Sequence, residues 1–434
     1  MSAEIHRWST MADREKIRAE LHRLLGEWFA GGVTAEAPEN RYPLGVPTYG
    51  AEEVTAALDV LLSDRLTMGP KVEAFERAFA ARVGAKQAVM VNSGSSANLL
   101  AFSVLSSSLL ERPLQRGDEV IVPALTWPTT ISPLTLLGLV PVFVDVDPVT
   151  LCLDPACVKA AITEKTRAIL PIHVLGNAAR VDALQEIAKA HELLLIEDCC
   201  EALGTELGGK VAGTFGDVGT YSFFYSHHLN TIEGGMLVTG SDEIADLARV
   251  MRTYGWARPS TSYDALAARN PEIDARFLFM AVGFNFRPTE IQAAFGFEQL
   301  AKLDAFNDAR RRNATLWSER LAKYPKLIEL TRPSEGCLHT WFYYPFLVAE
   351  GAPFTREQLS EHLESRGIET RTILTGNFVK QPAAEQLHYR VVGELPNTES
   401  VMRRGIMFGN SGGLSEERAG QMADIVCEFL DRQD

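Results

Sequence analysis

Ala88-Val89-Met90-Val91-Asn92-Ser93-Gly94-Ser95-Ser96-Ala97-Asn98 reads as a short apolar strand, a turn of small polar residues and the opening of a helix. Small residues such as Gly94 and Ser95 let the backbone come close to an oxyanion. The first amides of the helix, together with its dipole, then make a phosphate cradle. A plain β–α turn uses the same residue types, so the stretch fixes a strand-to-helix unit and leaves the ligand open. The unit repeats outward from there. Apolar runs at 119–122, 140–144, 168–171 and 193–196 alternate with helical segments such as 181–190. This alternation predicts an α/β fold around a mostly parallel sheet covered on both faces. In such sheets ligands sit beyond the carboxyl ends of the strands.

Composition narrows the class. The chain has 434 residues, 46% hydrophobic and 23% charged, with a net charge of −14. It is long enough for two lobes, and its acidic balance without a dense Lys/Arg run excludes a nucleic-acid surface. The N-terminus has no signal-peptide core and no run of about 18 apolar residues occurs, so neither export nor a membrane partner is expected. Six cysteines without a disulfide-rich pattern suggest reduced thiols in a cytoplasm.

The organisation follows from punctuation and periodicity. Residues 1–45 form an extension, with a helix predicted at 13–29 and then Pro/Gly-containing chain at Ala37-Pro38-Glu39-Asn40, Pro43, Gly45 and Pro47. A large domain is expected over 46–305, including a helix at 243–252 and a polar connector at 257–276. A smaller C-terminal α+β domain is expected over 306–434. A long helical pattern at 288–324 crosses the boundary, followed by a strand at 341–348 and helices at 355–366 and 415–430.

Candidate chemistry falls at strand ends. Leu193-Leu194-Leu195-Ile196-Glu197-Asp198 places two carboxylates at the end of a buried strand. Asp198 suits the protonated ring nitrogen of a pyridoxal cofactor, or equally a helix N-cap. Trp127 follows another strand and is either a stacking plate or core. Ser222 opens Ser222-Phe223-Phe224-Tyr225-Ser226-His227-His228-Leu229-Asn230-Thr231-Ile232-Glu233-Gly234-Gly235, a loop with adjacent imidazoles between two strand-like runs. Adjacent histidines without a Cys/Asp partner pattern are a weak metal signal, so no metal site is assigned.

These features in this order resemble the fold-type I pyridoxal-phosphate enzymes, specifically the DegT/StrS-type sugar aminotransferases, from about Pro43 to the C-terminus. Further landmarks are Leu66-Thr67-Met68-Gly69-Pro70-Lys71-Val72-Glu73, His173-Val174-Leu175-Gly176-Asn177, Gly216-Asp217 and Gly283-Phe284-Asn285-Phe286-Arg287. The resemblance implies an aspartate aminotransferase-like architecture and a homodimer with shared active sites. The departure is at 227, seven residues before Gly234, where the family's cofactor-tethering Lys is replaced by His. That exchange looks like the family's 3-dehydratase branch. One kind in that branch uses a [2Fe-2S] cluster. The chain keeps Cys200 but has no further Cys before Cys337, too few ligands, so an iron-sulfur cluster is not expected.

By resemblance, pyridoxal 5'-phosphate, cycling with pyridoxamine 5'-phosphate, is held without a covalent tether. Gly94, Ser95 and Ser222 would take its phosphate, with Asn285 reaching across from a second subunit. Trp127 would stack on the ring, Asp198 hold its nitrogen and Glu201 approach its hydroxyl. His227 would be the base, and L-glutamate would regenerate the amine form. The substrate implied is a nucleotide-linked 4-keto-6-deoxy sugar like GDP-4-keto-6-deoxymannose, in deoxysugar biosynthesis for a lipopolysaccharide O-antigen. Two alternatives stay open: an aminotransferase with an altered base, and a non-catalytic cofactor-binding regulatory protein. His228 is assigned to shaping the loop or meeting substrate. His339 and Trp341 are either substrate contacts or core, and Arg258, Arg371 and Lys380 either phosphate contacts or solvated charges.

Overall fold

The computed structural model describes residues 11–30 and 41–433, so the Ala37 to Asn40 stretch lies outside the described residues. Helix α1 (Met11–Phe29) lies against α2 (Ala51–Leu61), where the Arg18 guanidinium and the His22 ring both reach Asp59. Helix α3 (Pro70–Val83) ends at Gly84, whose φ of 75° is the left-handed conformation that glycine adopts freely.

The expected sheet is present. Strands β1 (Gln87–Val91), β2 (Glu119–Pro123), β3 (Val140–Val144), β4 (Thr166–Ile169) and β5 (Leu194–Asp198) join the later strands Val218–Ser222, Gly235–Thr239 and Arg390–Val391. The spatial order is β1, Gly235–Thr239, Val218–Ser222, β5, β4, β2, β3, Arg390–Val391. All pairs are parallel except the two made by Gly235–Thr239. Successive residues of a strand face opposite sides of its sheet. Val120 and Val122 therefore pack with Leu100 and Val104 of α4 (Gly94–Leu105), while Ile121 packs with Leu184 and Ile187 of Val181–Ala190 on the other side. Burial on both faces explains why these strands are uninterrupted apolar runs.

Past residue 290 the helix Glu290–Leu321 begins with a capping box between Thr289 and Gln292. The Glu290 carboxylate accepts from the amides of Gly69, Lys71 and Val72 at the start of α3. At 1.5 Å rise per residue a 32-residue helix is about 48 Å long. Its far half carries Trp317 and Leu321 into a second core with Tyr344, Phe346, Phe408 and Val426. That core backs an antiparallel sheet ordered Ile328–Leu330, Tyr343–Val348, Gly405–Gly409, Thr370–Arg371. The connector at 257–276 contains one short helix, Tyr263–Arg269. No helix among the described residues is long and apolar enough to cross a membrane.

Candidate active site

Strand register assembles the site. Val91, Gly235 and Ser222 stand opposite one another on three neighbouring strands, so the turn after β1 lies beside the start of the His-containing loop. A Cβ on Gly94 would lie 2.5 Å from the Ser222 Cβ, and one on Gly235 would lie 2.3 Å from the Ser93 carbonyl oxygen. Both positions are closed to any side chain by approach distance. The Ser93 hydroxyl accepts from the Ser96 amide and caps α4. The helix's earlier amides, at Gly94 and Ser95, are those that no intrahelical carbonyl satisfies. Those amides, the dipole and the Ser222 hydroxyl suit a phosphate.

At the end of β5, Asp198 is buried and fully directed. Its Oδ2 accepts from Asn98 Nδ2 at 3.0 Å and Thr130 Oγ1 at 2.7 Å, and its Oδ1 accepts from the Cys200 amide at 3.0 Å. Asn98 is itself fixed, its Oδ1 accepting from Thr220 Oγ1 at 2.6 Å. Asp198 is thus a supported carboxylate at the strand edge and caps no helix. Asn98 and Thr130 were not singled out from sequence. Their signal was helical spacing, one turn after Gly94 and just after Trp127, which turns both toward β5. Trp127 precedes helix α5 (Pro128–Leu137) with its side chain 53% exposed. It is an open plate at the rim and not core.

The His loop crosses this edge. Phe223 and Gly234 close its base through a backbone bond, and Thr231 returns a second to Phe223. His227 Nδ1 lies 2.7 Å from the Cys200 carbonyl oxygen. A carbonyl only accepts, so Nδ1 carries the proton and Nε2 keeps its lone pair. The ring packs on Phe342 with centroids 4.8 Å apart. Part of His227 stays open, yet the protein around it desolvates the ring and pushes its pKa down to about 4. Beside it, Glu201 Oε2 accepts from the Leu175 amide at 3.0 Å. Burial, helped by the Asp198 charge, pushes its carboxyl up to about 8. The site therefore pairs a neutral imidazole with a protonated carboxyl, each held out of its usual state by desolvation.

His228 is different. It is buried, with burial holding its pKa well below the usual imidazole value, and neither ring nitrogen has a hydrogen-bond partner. The Thr340 backbone faces it without a bonded geometry. Asn285 lies on an exposed segment, its Oδ1 accepting from Arg287 Nε, while the next carbonyl, of Phe286, takes the Asn92 amide. His339 and Trp341 are buried and stack with centroids 3.9 Å apart, which makes them core. Lys380 pairs with Glu399 and Arg371 with Glu369, while Arg258 lies over the Trp256 ring.

The structure thus brings Gly94, Ser95, Asp198, Glu201, Ser222 and His227 to one sheet edge with Trp127 at its rim, in the order of the resemblance. Comparison with known proteins agrees. Residues 47–427 match the DegT/DnrJ/EryC1/StrS aminotransferase family. A GDP-4-keto-6-deoxy-D-mannose 3-dehydratase of Yersinia pseudotuberculosis is 38% identical over 85% of this chain and 94% of its own length. A dTDP-4-dehydro-2,6-dideoxy-D-glucose 3-dehydratase of Saccharopolyspora spinosa is 40% identical over 87% and 84%. Among solved structures, a GDP-4-keto-6-deoxymannose-3-dehydratase with a trapped PLP-glutamate geminal diamine superposes with a TM-score of 0.83 at 36% identity, covering 88% of this chain and all of that one. With its cradle, strand-end aspartate and His loop in this register, and with the match spanning most of its length, the chain belongs to the DegT/DnrJ/EryC1/StrS aminotransferase family.

Proposed function

We propose that this protein is a pyridoxal-phosphate-dependent 3-dehydratase that removes the C3 hydroxyl of a nucleotide-linked 4-keto-6-deoxyhexose of the GDP-4-keto-6-deoxymannose type. The observation that carries the reading is the imidazole at 227, its Nδ1 proton fixed by the Cys200 carbonyl and its Nε2 free to accept. A lysine there would tether the cofactor; an imidazole can only move protons.

The residues fit the cofactor. The Gly94 and Ser95 amides and the Ser222 hydroxyl hold its phosphate, Asp198 its ring nitrogen, Glu201 the ring hydroxyl and Trp127 one ring face. Bound there in its amine form, which L-glutamate regenerates, it supplies the nitrogen that condenses with the C4 ketone and a ring that takes up electrons. His227 Nε2 removes the proton whose departure drives out the C3 hydroxyl. Asn98 and Thr130 keep the Asp198 carboxylate aimed.

Asn285 reaches the phosphate of a second copy in a homodimer. Its exposed position supports this, as do exposed Phe277, Phe279 and Val282 just before it, Val282 being 90% exposed. A cytoplasmic setting accords with six cysteines that are all unpaired. The cofactor lobe corresponds to 46–305 and the smaller lobe to 306–434.

The test is to incubate the protein with pyridoxal phosphate, L-glutamate and GDP- or dTDP-linked 4-keto-6-deoxy sugars, then weigh the products. The expected result is a 3-deoxy ketone that has lost the C3 oxygen, with ammonia released. A 4-amino sugar retaining that oxygen would overturn the reading in favour of an aminotransferase.

A further inference from the structure

Behind the two imidazoles lies a cation with no counter-charge. Arg310, on Glu290–Leu321, is 1% exposed. Its Nε donates to the Asn410 carbonyl at 2.9 Å, and Asn410 Nδ2 returns a bond to the Arg310 carbonyl at 3.1 Å. This reciprocal clamp fixes the direction of the guanidinium. Nη1 is buried without a partner, and no carboxylate among the described residues forms an ion pair with it. Burial lowers its pKa only to about 10, so it remains charged at neutral pH. An unpaired buried charge costs several kcal/mol, and an apolar side chain of the same length would avoid that. Packing alone therefore does not account for an arginine here.

The surroundings show what the charge acts on. Asp198 and the Cys200 carbonyl face His227 from the end of β5, and Arg310 faces it from the long helix, the guanidinium acting more strongly than Asp198. His228 faces the same guanidinium along with His227 and His339. Tyr343, whose hydroxyl lies 3.4 Å from Ser226 Oγ, stands between Glu201 and Glu369 on the acidic side and Arg310 on the other. Phe342 covers both imidazoles. A positive charge held in a poorly solvated pocket opposes a second one nearby.

We propose that Arg310 is a positioning residue that keeps His227 a neutral base, acting through its fixed charge behind the imidazole pair without touching substrate. This rests on the reading of His227 as the base. A proton taken up by Nε2 before substrate arrives would leave the site without an acceptor. The uncompensated guanidinium works against that premature protonation, while the Cys200 carbonyl holds the other nitrogen's proton in place.

The test follows the His227 ring by NMR in the full-length protein with pyridoxal phosphate bound and histidine ring carbons labelled, the resonance being assigned by its loss in His227→Asn. In Arg310→Met the His227 midpoint should rise by about one pH unit, and the acid limb of kcat/KM should move with it. Arg310→Lys, which keeps the charge, should leave both near the parent values. An unchanged midpoint in folded Arg310→Met would overturn the proposal. If that variant does not fold, the parent decides: a His227 midpoint at or above the ordinary 6.5 would overturn it equally. The NMR midpoint needs no turnover. A shifted midpoint in a protein that dehydrates nothing would keep this inference and sink the functional reading, and the reverse result would do the opposite.

Discussion

Glu197 and Asp198 are consecutive on β5, and pleating sends them to opposite faces of the sheet. Around Glu197 every valence is used. Its carboxylate accepts from the amides of Gly213, Phe215 and Gly216, each at 2.8 Å, and meets His173 Nε2 at 3.1 Å. His173 Nδ1 in turn accepts from the Ala179 amide at 3.1 Å. Cys199 completes a trio whose ligand atoms lie within 4.8 Å of one another. Its thiol is pushed well above the usual range by burial, and the other two members are already bonded, so the cluster is a latch and not a metal site. Around Asp198 and His227 the same residue types are left with capacity: His227 uses one nitrogen of two, and Glu201 one oxygen. Saturated polar groups hold a fold, and half-used ones are available to a ligand.

Breaking each side should give opposite signatures. His227→Asn should fold and retain cofactor while turnover falls about 10³-fold, equivalent to about 4 kcal/mol in the barrier; steady-state kinetics beside a melting curve would show it, and unaltered turnover would dissolve the contrast. Glu197→Ala should do the reverse. Stranding the His173 ring and three buried amides should lower stability by about 3 kcal/mol in denaturant unfolding, with turnover of the folded fraction retained. Gly94→Ala sits where both sides meet. The Cβ would crowd Ser222, so about 2 kcal/mol of overpacking and faster loss of pyridoxal phosphate on dialysis are expected.

The smallest effect is the most diagnostic. Activity against pH should be bell-shaped, falling by about tenfold per unit beyond each limb. The acid limb reports protonation of His227, whose folded pKa is about 4, and the alkaline limb loss of the Glu201 proton near pH 8. Stability linkage runs in opposite directions for the two. His227, depressed below 6.5, contributes stability that is present above that pH and lost as pH falls toward 4. Glu201, raised above 4.5, contributes stability that is present below that pH and lost as pH rises through about 8. Glu201→Gln should remove the alkaline limb and leave the acid one; an unchanged profile would mean that Glu201 belongs with the saturated groups.

Much of this was legible along the chain. Apolar runs of strand length placed β1 to β5, and small residues after β1 marked the cradle, because both signals are local. The ends of elements were less legible. The run predicted through Phe224 stops at Ser222, where the chain turns to bring Phe223 onto Gly234, and the strand expected from Trp341 begins at Tyr343. Tertiary hydrogen bonding settled those boundaries.

By itself the sequence determined which residue types stand at which strand ends, and that position 227 carries an imidazole with two nitrogens and no reach for a Schiff base. Only the tertiary structure decided which nitrogen holds the proton. It also decided that Asn98 and Thr130 aim Asp198, that His173 belongs to Glu197, and that Arg310 stands behind the imidazole pair. The physical reason is range. Periodicity and turn chemistry report a residue's own segment. A proton's position or a charge's influence depends on groups that distant segments bring within hydrogen-bonding or Coulombic reach.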